Sequence, residues 1–333
     1  MNRTHLITGV AGQDGVLLAR LLRSRGDHVV GTVLPGRGQP PLAPYLDGVD
    51  LVPLDIRDRD GFASLVERVR PHAVHNLAAV SSVGDSWAEP ELTEAVNHTA
   101  VCDMLNVLRD VRERTGQAPC FIQASSAEIF GPAESGPVDE DTELAPANPY
   151  GEAKAGAHLA VARARSEGMA ATNLVLFGHT SPLHDPRFVL RSITHQAAEV
   201  ALGRRPEVTL RDPSTRRDWG AAADFVRAFA AAVDGTPDDY VIATGELHAL
   251  TEMTGWALAA LGLSVTPPGN SGEPPRQTDV SGVTSCAVRA TEVLGWQPKI
   301  PLAEVIAGMA RVDLRRLESG VEEDPSYLDE DPG

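Results

Sequence analysis

Two pairs of side chains in the middle of the chain have the types and spacing for acid–base work coupled to hydride transfer. Tyr150 and Lys154 stand four residues apart in Tyr150-Gly-Glu-Ala-Lys154, so on a helix they share one face. A lysine cation there, beside an oxidised nicotinamide, would lower the tyrosine pKa and make the phenolate a usable base. The plainer alternative is a half-buried tyrosine beside a surface lysine. The second pair lies in Ser125-Ser126-Ala127-Glu128, at the end of the apolar run CFIQASS. Ser126 can hydrogen-bond a hydroxyl undergoing oxidation. The Glu128 carboxylate can remove a carbon-bound proton next to a transient ketone, a task that simple hydride transfer does not need. Its alternative reading is a solvated acid at a strand end.

A glycine loop near the start supplies the partner for such chemistry. Gly9, Gly12 and Gly15 fall in GVAGQDG, after the strand-like HLITGV and before a helix expected over 15–25. Glycines there let the backbone turn tightly and approach a pyrophosphate resting on the helix N-terminus, with Gln13 and Asp14 in the first turn. No acid follows the second strand, HVVGTV, where a ribose hydroxyl would be held, and Arg37 is nearby. That favours NADP, with NAD as the alternative and a solvated loop arginine as the bland reading of Arg37. Asp55, after the third strand, is placed to meet the adenine end or simply to start a helix.

These residues need a scaffold, and the chain spells one. HLITGV, HVVGTV, DLVPLDI, AVHNLAAV, PCFIQASS and ATNLVLF alternate with helical stretches. That pattern predicts βαβ units, an α/β fold with a doubly wound parallel sheet buried on both faces. Past Phe177 the alternation becomes irregular and Pro/Gly-rich pieces appear, as expected of a smaller substrate lobe; DYVIATG is expected to return to the main sheet. The expected division is a Rossmann domain over 1–175 plus about 219–247 and a substrate lobe over about 176–218 plus 248–320. The remaining 321–333, acidic and without Lys or Arg, is expected to be a solvated, disordered tail.

Composition narrows the classes. The chain has 333 residues and a net charge of −17, the opposite of a nucleic-acid footprint. No run approaches a membrane span, and no signal-peptide pattern opens the chain; the cytoplasm is the expected compartment. Cys102, Cys120 and Cys286 are far apart, and the ten histidines form no HxH or HxxxH pair. Neither a disulfide nor a metal site is expected.

The segments ITGVAGQDG, HNLAAVSSV, ASSAEIFG, NPYGEAK, HTSP with FVLRSIT, RRDWGAAADFV, VIATGELH and LGWQPK resemble those of the GDP-mannose 4,6-dehydratases, a branch of the extended short-chain dehydrogenases. The resemblance covers nearly the whole chain apart from the tail. It implies a Rossmann-type domain with a C-terminal substrate lobe, bound NADP, and redox-neutral dehydration of GDP-mannose to a 4-keto-6-deoxy sugar. By that likeness Ser126, Glu128, Tyr150 and Lys154 are catalytic. Ile56, Leu77, Ala78, Ala79, Ser81 and His179 join the cofactor contacts. Ser86, Gly178, Val189, Arg191, Arg217 and Arg276 join Glu128 around the nucleotide sugar. A helix-paired homodimer is implied, with a tetramer as the larger alternative.

The departures are local. NHESP reads Gly178-His179-Thr180-Ser181-Pro182, Arg-Lys reads Arg191-Ser192, and the serine before the glutamate is Ala127. The family's Arg-Arg-Ser-rich stretch after the second strand is the shorter Leu34-Pro35-Gly36-Arg37. An epimerase of a GDP-sugar is the competing outcome for the same constellation. A non-catalytic nucleotide-sugar binding protein is the contrasting class, opposed by the presence of all the reactive side chains.

Overall fold

The computed structural model describes residues 2–36, 38–132, 137–272 and 282–330. The strands are β1 Thr4–Thr8, β2 His28–Val33, β3 Asp50–Pro53, β4 Ala73–Asn76, β5 Cys120–Ser126, β6 Ala171–Leu176, β7 Gly178–Thr180, β8 Thr209–Leu210, β9 Arg216–Ala221, β10 Asp239–Ile242, β11 Leu247–Ala249 and β12 Gly269–Asn270. The helices are α1 Gln13–Ser24, α2 Arg59–Val69, α3 Val83–Ala88, α4 Pro90–Glu94, α5 Ala100–Thr115, α6 Pro149–Ser166, α7 Val189–Ala201, α8 Ala222–Ala232, α9 Leu250–Ala260, α10 Val288–Leu294 and α11 Leu302–Ser319.

Seven strands form the main sheet in the order β10-β6-β5-β4-β1-β2-β3, all pairing parallel. DYVIATG thus returns to this sheet, as its β-rich run predicts. Buried residues of α1 (Val16, Leu18, Leu22) and α8 (Phe225, Phe229) cover one face. Residues of α2 (Phe62, Leu65), α5 (Met104, Leu108) and α6 (Ala157, Val161) cover the other. Parallel strands demand this double cover because both of their faces are apolar. The order reverses between β1 and β4, and in such sheets ligands lodge at that reversal, outside the carboxyl ends of the strands.

A smaller apolar cluster joins Leu190 and Ile193 of α7, Trp219 of β9, Met253 of α9 and Met309 of α11. Through Trp219 it adjoins the three-stranded sheet β11-β9-β7. No described helix is long and apolar enough to cross a membrane.

The acidic tail is the main correction to the sequence reading. Residues 325–330 form a short helical turn, and Tyr327 and Leu328 are buried. The Tyr327 ring lies under the guanidinium groups of Arg315 and Arg316, 5.1 and 4.8 Å from its centroid. Glu323 accepts from Arg316 Nη2 at 2.9 Å and from the hydroxyl of Tyr45, 278 residues away, at 2.8 Å. Behind it, Asp313 takes Arg191 Nε at 2.6 Å and Arg316 Nη1 at 3.2 Å, with Thr194 Oγ1 at 2.6 Å. Two guanidiniums and two carboxylates balance in a nearly water-free setting, and that neutrality is what draws the acids in from solvent.

Removing Glu323 leaves one buried cation in excess. Glu323→Gln is therefore expected to lower stability by about 3 kcal/mol, read as a reduced urea midpoint at unchanged slope.

Candidate active site

The glycine loop leaves β1 at the strand-order reversal, as its spacing predicts. Gly9 has a φ of 68°, and a Cβ there would lie 2.8 Å from the Ala78 backbone. A Cβ on Gly15 would lie 2.6 Å from the Gly9 carbonyl oxygen. Both glycines are demanded by the chain itself. Gly12 is different: its Cβ would meet only the Gly9 oxygen, at an ordinary 3.5 Å. It is the exposed N-cap of α1 and no side chain caps that helix. The backbone N–H groups at this N-terminus and the bare Gly12 surface fit a pyrophosphate. Leu77, Ala78 and Ala79 are half-buried in the facing loop after β4, and Ser81 is exposed farther along it. Asn97, on one turn of π-helix over Ala95–Thr99, pins this loop by exchanging two 2.9 Å hydrogen bonds with the Val80 backbone.

Asp14 and His179 pair with each other. His179 Nε2 lies 2.9 Å from Asp14 Oδ2, and Nδ1 lies 2.8 Å from the Phe177 carbonyl oxygen. Both ring nitrogens thus face acceptors, which requires a proton on each. Burial pushes the imidazole down, but the Asp14 carboxylate and the Phe177 carbonyl outweigh it and hold His179 above its usual range. Burial pushes Asp14 up, but His179 and the Gln13 amide outweigh it and hold the carboxyl low. Ser181 Oγ donates to Gln13 Oε1 at 2.9 Å, so the cofactor loop and β7 are fastened by polar contacts.

The four reactive side chains come together where β5 ends and α6 begins. Asn148 and Pro149 start α6, the N-cap and first-turn pair that favours a helix there. Asn148 Oδ1 accepts from Gly151 N at 2.8 Å and its Nδ2 donates to Glu128 Oε2 at 2.9 Å. A Cβ on Gly151 would lie 2.7 Å from the Glu128 carbonyl oxygen, so the helix start rests on the turn that carries Glu128. Ser126 Oγ accepts from Glu128 N at 3.3 Å, and Ser126 acts against the rise of the Tyr150 phenol. Lys154 Nζ donates to the Ala124 carbonyl at 2.9 Å and stands 5.7 Å from the Tyr150 ring centroid. Burial brings the Lys154 ammonium down to about 8 despite the Asp14 charge. Burial also pushes the Tyr150 phenol up to about 12; Ser126 opposes this, while Glu128 and Asp14 add to it. The protein's own surroundings therefore raise this tyrosine, because desolvation disfavours a phenolate.

Other sequence candidates lie farther from this centre. Asp55 forms an ion pair with Arg57, and Ile56 is buried beside it. Ser86 is fully buried, its hydroxyl donating to Val83 O at 2.7 Å. Arg191 is corrected outright: Asp313 and the carbonyls of Pro182 and His184 take its guanidinium inside the small lobe. Gly178 lies against Trp219, where a Cβ would be 2.8 Å from the indole, so that position has no room for a side chain. Val189 opens α7. Arg217, half-buried on β9, stands opposite His248. Its neighbour Asp218 accepts from Thr244 N, Thr244 Oγ1, Gly245 N and Thr284 Oγ1 at 2.6–3.1 Å, which fixes that end of the lobe. Arg37 and Arg276 lie outside the described residues.

The Asp14–His179 pair sets a pH dependence. His179, held high, contributes stability that is complete below about pH 6.5 and lost as pH rises through its raised value. Asp14, held low, contributes above about pH 4 and loses it as pH falls through its depressed value. Asp14→Asn is expected to cost about 3 kcal/mol at pH 6, and the gap to wild type should shrink toward pH 9, read from urea midpoints at both values.

The family profile described as "GDP-mannose 4,6 dehydratase" matches residues 6–309. The GDP-mannose 4,6-dehydratase of Sinorhizobium fredii (strain HH103) is 31% identical, with 94% of this chain and 97% of the relative covered. That of Vibrio cholerae is 30% identical, covering 95% of each. Among solved structures, a Thermus thermophilus UDP-glucose 4-epimerase in complex with NAD is 26% identical with a TM-score of 0.81, covering 94% of this chain and 99% of that one. With this glycine loop, this Ser–Glu–Tyr–Lys cluster and these likenesses, the chain belongs to the GDP-mannose 4,6-dehydratase family.

Proposed function

We propose that the chain is an NADP-dependent GDP-mannose 4,6-dehydratase that removes water from its nucleotide sugar with no net redox change. The observation that carries this reading is the Glu128 carboxylate, held on the same polar cluster as Ser126, Tyr150 and Lys154. Hydride exchange alone has no use for it. The bare helix N-terminus at Gly12 supports a dinucleotide, and NAD remains the alternative cofactor. When bound, the nicotinamide supplies the acceptor for a hydride taken from sugar C4 and later given back at C6.

Tyr150, steadied by Ser126, takes the O4 proton as that hydride leaves, so C4 becomes a ketone. With an oxidised nicotinamide bound beside it, the Lys154 ammonium would favour the phenolate this requires. The ketone acidifies C5–H, and Glu128 takes that proton. The C5–H electron pair forms a C5=C6 double bond while the C6–O bond breaks. Glu128 delivers its proton to the departing oxygen, which leaves as water. Tyr150 then gives up the proton it took from O4 to C5 and is reset as the phenolate, and with C6 reduced the product would be the 4-keto-6-deoxy sugar. Arg217 and Arg276 are read as contacts to the nucleotide, with Gly178 and Val189 lining its sugar side; Ser86, buried and bonded to Val83 O, is left out of that lining. The proposed assembly is a helix-paired homodimer, supported by the exposed Leu159 on α6. The proposed compartment is the cytoplasm, which suits three free cysteines.

Incubation with GDP-mannose and NADP is expected to shift the nucleotide-sugar mass by the loss of one water, with no lasting reduced cofactor. An unchanged mass with altered stereochemistry would make it an epimerase instead. Glu128→Gln should bind cofactor normally and lose about 10³-fold in dehydration rate, and Tyr150→Phe should block the first oxidation. Undiminished product from Glu128→Gln would remove Glu128 from its role.

A further inference from the structure

We propose that Asn148 is a positioning residue for the proton-transfer half of the reaction, locking Glu128 to the helix that carries Tyr150 and Lys154. The inference rests on the dehydratase reading above and deepens it. Asn148 is 1% exposed and spends both arms of its amide inside the site. The oxygen accepts from Gly151 N at 2.8 Å and closes the first turn of α6. The nitrogen donates to Glu128 Oε2 at 2.9 Å. Among the described residues no other side chain donates to that carboxylate.

Helix capping alone does not explain an asparagine. Serine, threonine or aspartate would accept the same backbone hydrogen bond. The asparagine amide carries an acceptor on one arm and a donor on the other, so one side chain holds both partners at once. The backbone adds to the clamp: Gly151 abuts the Glu128 carbonyl, and Ala145 N donates to Ile129 O at 2.9 Å. Two elements that approach from different parts of the chain thereby become one rigid body. With Oε2 tied, Glu128 presents Oε1 to the sugar in a fixed orientation. The carboxylate takes the C5 proton through that oxygen and passes it to the leaving C6 oxygen. The C5–H pair becomes the C5=C6 bond, the C6–O bond breaks, and Glu128 ends as it began.

The test separates the two arms. Asn148→Ser keeps an acceptor for the helix cap on a shorter side chain, and Asn148→Asp keeps it on a carboxylate; both delete the amide donor to Glu128. Asn148→Ser is expected to melt close to wild type and Asn148→Asp lower, because two carboxylates then face each other; both are expected to bind NADP with unchanged affinity. With GDP-mannose, kcat should fall about tenfold to a hundredfold with little change in KM. Reduced-nicotinamide absorbance should build up on the enzyme during turnover, because C4 oxidation proceeds while proton removal waits. Wild-type kcat in both variants would overturn the role. So would a fall in rate with no build-up of reduced cofactor, since that is what a general loosening of the site would give. A wild-type chain that removes no water overturns the dehydratase reading and this role together, whereas a working wild type with unaffected variants overturns this role alone.

Discussion

Every strand of the main sheet runs the same way, so each needs a layer of helices on both faces. The cost of leaving either face bare governs everything else in the molecule. With α1 and α8 on one side and α2, α5 and α6 on the other, both faces are covered and the strand ends are left for loops. The loops that leave β1, β4 and β5 all emerge at the carboxyl end. There Gly9 presses on the Ala78 backbone, and Ser126 and Glu128 turn toward α6. The reactive cluster is a by-product of how parallel strands must be covered, refined by a handful of short polar contacts.

Asp14 with His179 joins the glycine loop to β7, and Asp313 with Arg191 and Arg316 joins α7 to α11. Stripping water from such ions is expensive, and an apolar contact of equal size often stabilises as well. Their contribution here is orientation. A carboxylate between two guanidiniums allows one arrangement of two helices and a tail, where a greasy surface would allow several. The chain is strongly acidic overall, yet these interior charges balance locally.

Much of this was legible in the residues. The apolar runs between helical stretches announced the sheet, including the late return of Asp239–Ile242. The Tyr150–Lys154 spacing and the strand end at Ser126 located the cluster. What stayed hidden depends on partners far off in sequence. An arginine in an acidic chain suggests a ligand for an anion, but Arg191 meets Asp313, 122 positions later. Nothing in VEEDPSYLDEDPG announces that Glu323 will meet Tyr45 and Arg316. Asn148 reads as an ordinary helix cap until Glu128 is seen against its other arm. The raised phenol of Tyr150 is a property of burial, which spacing does not encode.

The tail contact also has a bearing on how the protein comes into being. Tyr45 is synthesised early and waits 278 residues for Glu323, while α1 waits about two hundred for α8 to pack beside it. Such long loops must close late, and closing them is slow. The Ser126, Glu128, Tyr150 and Lys154 cluster draws only on residues 124 to 154, whereas the contacts of Tyr45 and Arg316 with Glu323 wait for the last part of the chain. The order of synthesis therefore lets the local contacts of the cluster form before the tail contact can close.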